Sequence, residues 1–290
     1  MFGGFTEFSV ATDGAEIRGV MGGNGPALLL LHGYPQNHRI WHRVAPLLSQ
    51  RFTLVAPDLR GYGASSKPPT DAEHTTYSKR AMASDMAQVM TILGHDQFFL
   101  CGHDRGGRVA HRLGLDHADR VRRIAVLDIA PTREMYRDTT DGFARAYWHW
   151  FWLILPSPIP ETMIAADPEA YLKFKCGRGS AGLTPFLPEA WESYLASIRD
   201  PDTVHAMCED YRAAASIDLR HDDEDEGRKL AMPLLVLWGA KGAIEAHFDC
   251  LGLWRERAAD VRGHPIDGGH YLPEEKPEEV ASNLMEFFRD

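Results

Sequence analysis

The run Gly102-His103-Asp104-Arg105-Gly106 sets a carboxylate between an apolar stretch, "QFFLCG", and a helical pattern, "RGGRVAHRLGLDHA". Its spacing, small–X–nucleophile–X–small, is that of a nucleophile elbow, a strained strand-to-helix turn that lifts its central side chain clear of the backbone. Serine is the usual centre, and aspartate changes the chemistry. A carboxylate is already ionised at neutral pH and needs no base to activate it. It displaces a leaving group from saturated carbon and becomes an alkyl ester, which water must then hydrolyse. That second step needs a general base and an oxyanion hole. A mere helix cap at Asp104 would need neither.

Arg105 and Arg108 stand three apart and share one helix face. They fall in the first helical turn, where the macrodipole disfavours cations. An anionic ligand beside Asp104 would compensate them. His270, in "DGGHYLPEEKP", lies in a loop between a late strand and the last helix, after the nucleophile in chain order, and is the expected base. The acid that orients it has two candidates. The usual position follows "LLVLWG", but Gly242 stands there, with Glu245 slightly beyond. Asp128 ends the strand "RIAVLD" at the sheet edge where such sites assemble, and is preferred. The backbone N–H of Tyr34, in "LHGYP", and that of Arg105 are the expected oxyanion-hole donors, each worth about 3 kcal/mol of barrier. The turn-rich "DLRGYGASSKP" reads as a structural loop.

These residues need a scaffold with strand ends on one edge. The apolar runs "ALLLLHG", "FTLVAPD", "QFFLCG", "VRRIAVLD", "PLLVLWG" and "VRGHPID" predict a buried parallel sheet. "IWHRVAPLLSQ" and "YSKRAMASDMAQVMTILG" carry helical periodicity between them, with Thr75, Thr76 or Ser78 as cap of the second, and "PEEVASNLMEFFRD" closes the chain. From Pro131 to about Leu230 the strand rhythm stops, prolines interrupt and aromatics crowd into "YWHWFW". The predicted architecture is an α/β core, residues 1–130 and 231–290, with a helical cap over 131–230. The acidic run Asp222–Gly227 reads as a solvated hinge.

The net charge of −10 argues against nucleic-acid and anionic-membrane partners, and any anionic ligand must overcome that field locally. Four scattered cysteines without a CxxC pair suit free thiols rather than a disulfide or zinc framework. "MFGGFTEFSV" has no secretory pattern and "WFWLILP" is too short to cross a bilayer, so a cytoplasmic protein is expected.

Taken together, these segments resemble the fluoroacetate dehalogenases of the α/β-hydrolase superfamily. The resemblance runs through "HGYPQNHRIWHRVAP", "DLRGYGASSKP", "GHDRGGRVAHR", "LDIAPTREMY", "YWHWFWLILP", "CEDYRAAASIDL", "LWGAKG", "DCLGLWRERA" and "DGGHYLPEEKPEEV". "GHD" and "DGGH" also occur in epoxide hydrolases and haloalkane dehalogenases; the arginine pair and "WHW" discriminate. The resemblance implies an α/β-hydrolase fold with a cap, attack by Asp104 on the α-carbon of a haloacid, and a carboxylate grip by Arg105 and Arg108. It further implies a halide site of His149, Trp150 and Tyr211, water activation by His270 with Asp128, and a homodimer without cofactor or metal. The donor chemistry agrees, since an indole N–H, a phenol and an imidazole N–H can replace the hydration of a departing fluoride. Trp148 and Trp152 are assigned to cap packing. Epoxide hydrolysis, which normally asks for two cap tyrosines, and a non-catalytic small-acid receptor are the competing readings.

Overall fold

The computed structural model describes residues 1–179 and 181–289. Six apolar runs become β3 (Ala27–Leu31), β4 (Thr53–Pro57), β5 (Phe98–His103), β6 (Val121–Leu127), β7 (Leu234–Gly239) and β8 (Val261–Ile266), while β1 (Thr6–Ala11) and β2 (Glu16–Gly23) precede them. The eight strands form one sheet in the order β1-β2-β4-β3-β5-β6-β7-β8. From β4 to β8 every pairing is parallel; β2 is antiparallel to both β1 and β4. Each residue of β3, β5 and β7 is buried, because helices cover both faces, whereas outer β1 and β8 are largely exposed. The sequence does not announce β1 and β2, because β1 is short and mixed and β2 carries three glycines, which weakens the periodic signal.

Ser78 proves to be the cap of the helix Lys79–Ile92, its hydroxyl accepting from Ala81 N at 3.1 Å. "IWHRVAPLLSQ" is less regular than its periodicity predicts. It forms a 3-10 segment, His38–Arg43, and a single α-turn, Ala45–Leu48, with proline in its first turn.

Between β6 and β7 the described residues form helices and no strand, from Thr132–Arg137 to Ile217–Glu224. In the acidic run Asp223, Glu224, Glu226 and Gly227 are exposed, as a solvated hinge requires, but two of its acids are not. Asp222 and Asp225 are buried around Arg112 of the helix Arg105–Asp116, with Asp222 Oδ1 at 3.0 Å from Nη2 and Asp225 paired to Nη1. A guanidinium buried at the core surface needs counter-charges, and this return segment supplies them. All four cysteines are free and buried. Among the described residues no helix is long and apolar enough to cross a membrane.

Candidate active site

The elbow follows β5 and opens the helix Arg105–Asp116. Asp104 takes φ 49° and ψ −117°, a positive-φ backbone that aspartate rarely adopts, and makes no side-chain cap to the helix. Small neighbours are obligatory. A Cβ on Gly102 would lie 2.3 Å from Gly106 O, and one on Gly106 would lie 2.3 Å from His32 O. The carboxylate is thereby freed, and Tyr34 N–H donates to its Oδ1 at 2.9 Å. Arg105 is the first helical residue, so its amide has no partner within the helix ladder. Burial opposes the charge on Asp104, but His270, His103, Arg105 and Arg108 outweigh it and hold the carboxyl at about 2.

His270 Nε2 faces Asp104 Oδ2 at 3.8 Å, while its Nδ1 meets Asp128 Oδ2 at 2.5 Å. Asp128 follows β6, is fully buried, and accepts from Gly239 N at 2.9 Å through its other oxygen. Glu245, the alternative orienting acid, is exposed and accepts from the Trp238 indole. The reason lies at Gly242. A Cβ built there would be 3.4 Å from Asp128 Oδ1, so the Asp128 carboxylate occupies the neighbourhood of the position vacated by an acid after β7. The His270 loop is held by two groups that the sequence does not single out. Glu275 accepts from Gly269 N at 2.7 Å and Tyr271 N at 2.9 Å, and His103 Nε2 donates to His270 O at 2.7 Å.

The arginine pair departs from expectation. Arg105 does not aim its fork at the site. Its Nε and Nη2 bond Asp210 Oδ2 and Oδ1 at 3.0 and 2.6 Å, and Nη2 also reaches Asp210 O at 2.7 Å. The charge that offsets this cation at the helix start is therefore a cap carboxylate. Asp210 also pairs with Lys79 and accepts from Tyr62 OH at 2.6 Å, so the loop "DLRGYGASSKP" reaches the arginine's partner. Burial works against ionised Asp210, yet Arg105 and Lys79 hold its carboxyl well below the usual range. What remains free on Arg105 is Nη1, buried and unpartnered. Arg108 spends Nη1 on Ala130 O (3.1 Å) and Thr132 Oγ1 (2.9 Å) and rests Nη2 on Met135 Sδ, leaving Nε unpartnered. It has no carboxylate partner among the described residues, and burial followed by Arg105 lowers its pKa.

Each guanidinium lies over a ring assigned to the halide site. Arg105 Cζ is 4.2 Å from the centre of the Tyr211 ring, and Arg108 Cζ is 4.5 Å from that of Trp150. His149 and Tyr211 are 5.7 Å apart by ring centres, and both pack on Tyr34. His149 Nδ1, Trp150 Nε1 and the Tyr211 hydroxyl are all buried without a partner. Burial, then Lys175, push the His149 pKa well below its ordinary value, so the ring is neutral. Tyr136 joins this set: its hydroxyl is buried and unpartnered, and its ring lies 5.0 Å from Trp150. Nothing in "PTREMY" marks it, since only the tertiary fold decides whether a tyrosine hydroxyl finds an acceptor. Trp148 and Trp152, by contrast, pack 5.5 Å apart and both contact Tyr171 in the cap.

A cavity of about 330 Å³ leads to His270, lined also by Tyr147, His149, Lys175 and Tyr271. A larger open groove of about 830 Å³, near Phe2, His38 and Asp58, includes none of the elbow residues. Its His38 and Asp58 satisfy each other at 2.8 Å.

Residues 26–277 match the model of the alpha/beta hydrolase fold family. The chain is 46% identical over its whole length to fluoroacetate dehalogenase from Burkholderia sp, covering 96% of that protein. It is 32% identical to soluble epoxide hydrolase from Corynebacterium sp. (strain C12), over 98% of this chain and 97% of the other. A solved structure from Nostoc sp PCC 7120, assigned to the alpha/beta hydrolases, superposes with a TM-score of 0.97 at 53% identity, covering 99% of each chain. Sheet order, elbow and family match agree: this chain belongs to the alpha/beta hydrolase fold family.

Proposed function

We propose that the protein hydrolyses haloacetates, fluoroacetate included, to glycolate and halide. The observation that carries this reading is a set of buried polar atoms without protein partners, on the two elbow arginines and the rings packed with them: Arg105 Nη1, Arg108 Nε, Tyr136 OH, His149 Nδ1, Trp150 Nε1 and Tyr211 OH. Six polar groups without protein partners call for water or a ligand, and a ligand with acceptors at both ends suits them. A haloacetate has such ends. Its carboxylate meets the two arginine N–H groups, and its halogen meets the neutral imidazole, indole and phenol. The fluoroacetate dehalogenase relative supports the same substrate class.

In this scheme an Asp104 oxygen attacks the α-carbon from the side opposite the halogen. The carbon–oxygen bond forms as the carbon–halogen bond breaks, and its electron pair leaves on the halide. His270 Nε2 then takes a proton from water, whose oxygen adds to the Asp104 ester carbonyl. Tyr34 N–H and Arg105 N–H stabilise the oxyanion, and Asp128 stabilises the imidazolium. Collapse breaks the ester bond, the leaving glycolate oxygen takes the proton back from His270, and the water oxygen stays in the Asp104 carboxylate, its remaining proton lost to solvent. No cofactor or metal enters these steps. A homodimer and a cytoplasmic location accompany the reading.

The fluoride test is direct. Purified enzyme with fluoroacetate should release fluoride, read by an ion-selective electrode, with equimolar glycolate. A second reading, epoxide hydrolysis, draws on the Corynebacterium relative and on the two unpartnered hydroxyls of Tyr136 and Tyr211. Turnover of styrene oxide without fluoride release would establish it. The two buried guanidiniums favour the haloacid, since a neutral epoxide does not need them.

We assign Tyr136 to the carboxylate end, because Thr132 and Met135 of its helix hold Arg108. Tyr136→Phe is expected to raise KM for haloacetate about tenfold, the worth of one hydrogen bond to a charged group. Chloride inhibition should be unchanged. Thermal unfolding should show no loss of stability, since the removed hydroxyl has no partner in the free protein. An unaltered KM would remove Tyr136 from the site.

A further inference from the structure

Lys175 stands in the last turn of the helix Pro168–Gly177 and lines the cavity beside His149 and His270. Its neighbours on the surface are paired: Lys173 with Glu169 at 2.8 Å and Lys241 with Asp267 at 2.6 Å. Lys175 has no such carboxylate among the described residues. Its ammonium makes one long hydrogen bond, 3.4 Å to Tyr271 OH, and sits 5.6 and 5.8 Å from the ring centres of Tyr34 and Tyr271. Two aromatic faces soften the burial of a cation but do not neutralise it. Arg178, one turn on, also lines the cavity and packs over Phe174 without an acidic partner among the described residues.

The position matters because the chain carries a net charge of −10. An anion approaching Asp104 must overcome that overall negative charge, and a local positive mouth would lower the barrier. The Lys175 field reaches inward as well: after burial, it is the next cause that lowers the His149 pKa, while burial lowers the pKa of Lys175 itself and Cys176 and Asp104 partly offset that. The ammonium therefore shares one electrostatic space with the elbow while lying nearer the cavity.

We propose that Lys175, assisted by Arg178, forms an outer anion subsite that captures small carboxylates at the mouth before they pass to Arg105 and Arg108. This rests on the haloacid reading only for the identity of the natural ligand; capture of acetate is independent of turnover. The rival role is packing at a helix C-terminus, where any cation is welcome.

Stopped-flow tryptophan fluorescence with acetate, at a series of ionic strengths, separates the two in the full-length enzyme. Lys175→Met should slow acetate association about tenfold at low salt and flatten its salt dependence. Lys175→Arg should retain both, and Arg178→Gln should act in the same direction as Lys175→Met with a smaller change. With fluoroacetate, Lys175→Met should lower kcat/KM much more than kcat. Wild-type association rates and salt slope in Lys175→Met would overturn the subsite, as would equal losses in Lys175→Met and Lys175→Arg. If the wild type releases no halide yet captures acetate through Lys175, the subsite stands and the haloacid reading falls. Halide release with capture indifferent to Lys175 would instead remove the subsite and leave the haloacid reading in place.

Discussion

His270→Asn is expected to arrest the enzyme as an ester on Asp104. The first half of the reaction needs no base, because burial notwithstanding, the groups around Asp104 keep it ionised, its carboxyl held at about 2. The variant should therefore release one equivalent of halide and then stop. The second half fails because no imidazole remains to accept the proton of water, and Asp128 is left oriented toward an amide. Steady-state kcat should fall at least about a thousandfold, the upper part of the range for a general base. Intact-protein mass spectrometry should find the carboxymethyl ester adduct, and peptide mapping should place it on Asp104. An adduct on another residue, or a halide burst absent from a folded variant, would refute covalent attack by Asp104.

Asp210→Asn is the second change with a large expected effect. Asp210 faces Arg105, Lys79 and the Tyr62 hydroxyl while fully buried. Asparagine has the same shape but leaves buried Arg105 without its carboxylate and Lys79 with Asp218 alone, at 3.3 Å. A loss of stability on the order of 3 kcal/mol follows from breaking a buried pair on one side. Activity should fall further than unfolding explains. Arg105 is aimed by this carboxylate, and misplacing an aligning group by an ångström costs about a hundredfold in rate. The measurement is kcat/KM for haloacetate well below the variant's own unfolding transition, beside Asp210→Glu, which restores the charge. Wild-type kcat/KM in Asp210→Asn would show that Arg105 needs no such support.

These two residues differ in how far the chain announces them. His270 stands in a loop whose glycines and place in chain order are local signals, and Asp104 sits in an elbow whose spacing is imposed by backbone crowding. The parallel strands β3 to β7 are legible for a similar reason, because continuous apolar runs must be covered on both faces, whereas the edge strand β8 is largely exposed. Asp210 carries no comparable signal. It lies between Glu209 and Tyr211 in an ordinary helix, and its meeting with Arg105 spans 105 positions. The same holds for Asp222 and Asp225, whose acidic stretch suggests solvent until Arg112 is placed beside it. Periodicity reports which side of an element is buried; it does not report which buried charge will face which. Strand position alone favours Asp128 over Glu245, while the geometry adds why Glu245 is occupied elsewhere, by Trp238.

The bond between Arg105 and Asp210 also rivets the helix Pro201–Ala214 to the helix that opens at the elbow. The helix Pro201–Ala214 hangs over the sheet by an ionic lock at the elbow itself, reinforced by Lys79 and Tyr62. A roof fastened there does not swing open like a hinged lid without tearing buried charges apart. Traffic is left to the doorway, whose lining runs from the small Ala146, Gly179, Ala243 and Ala246 to the bulkier Trp148, Lys175 and Arg178. Breeders of variants for bulkier acids should therefore carve the doorway and leave the rivet alone.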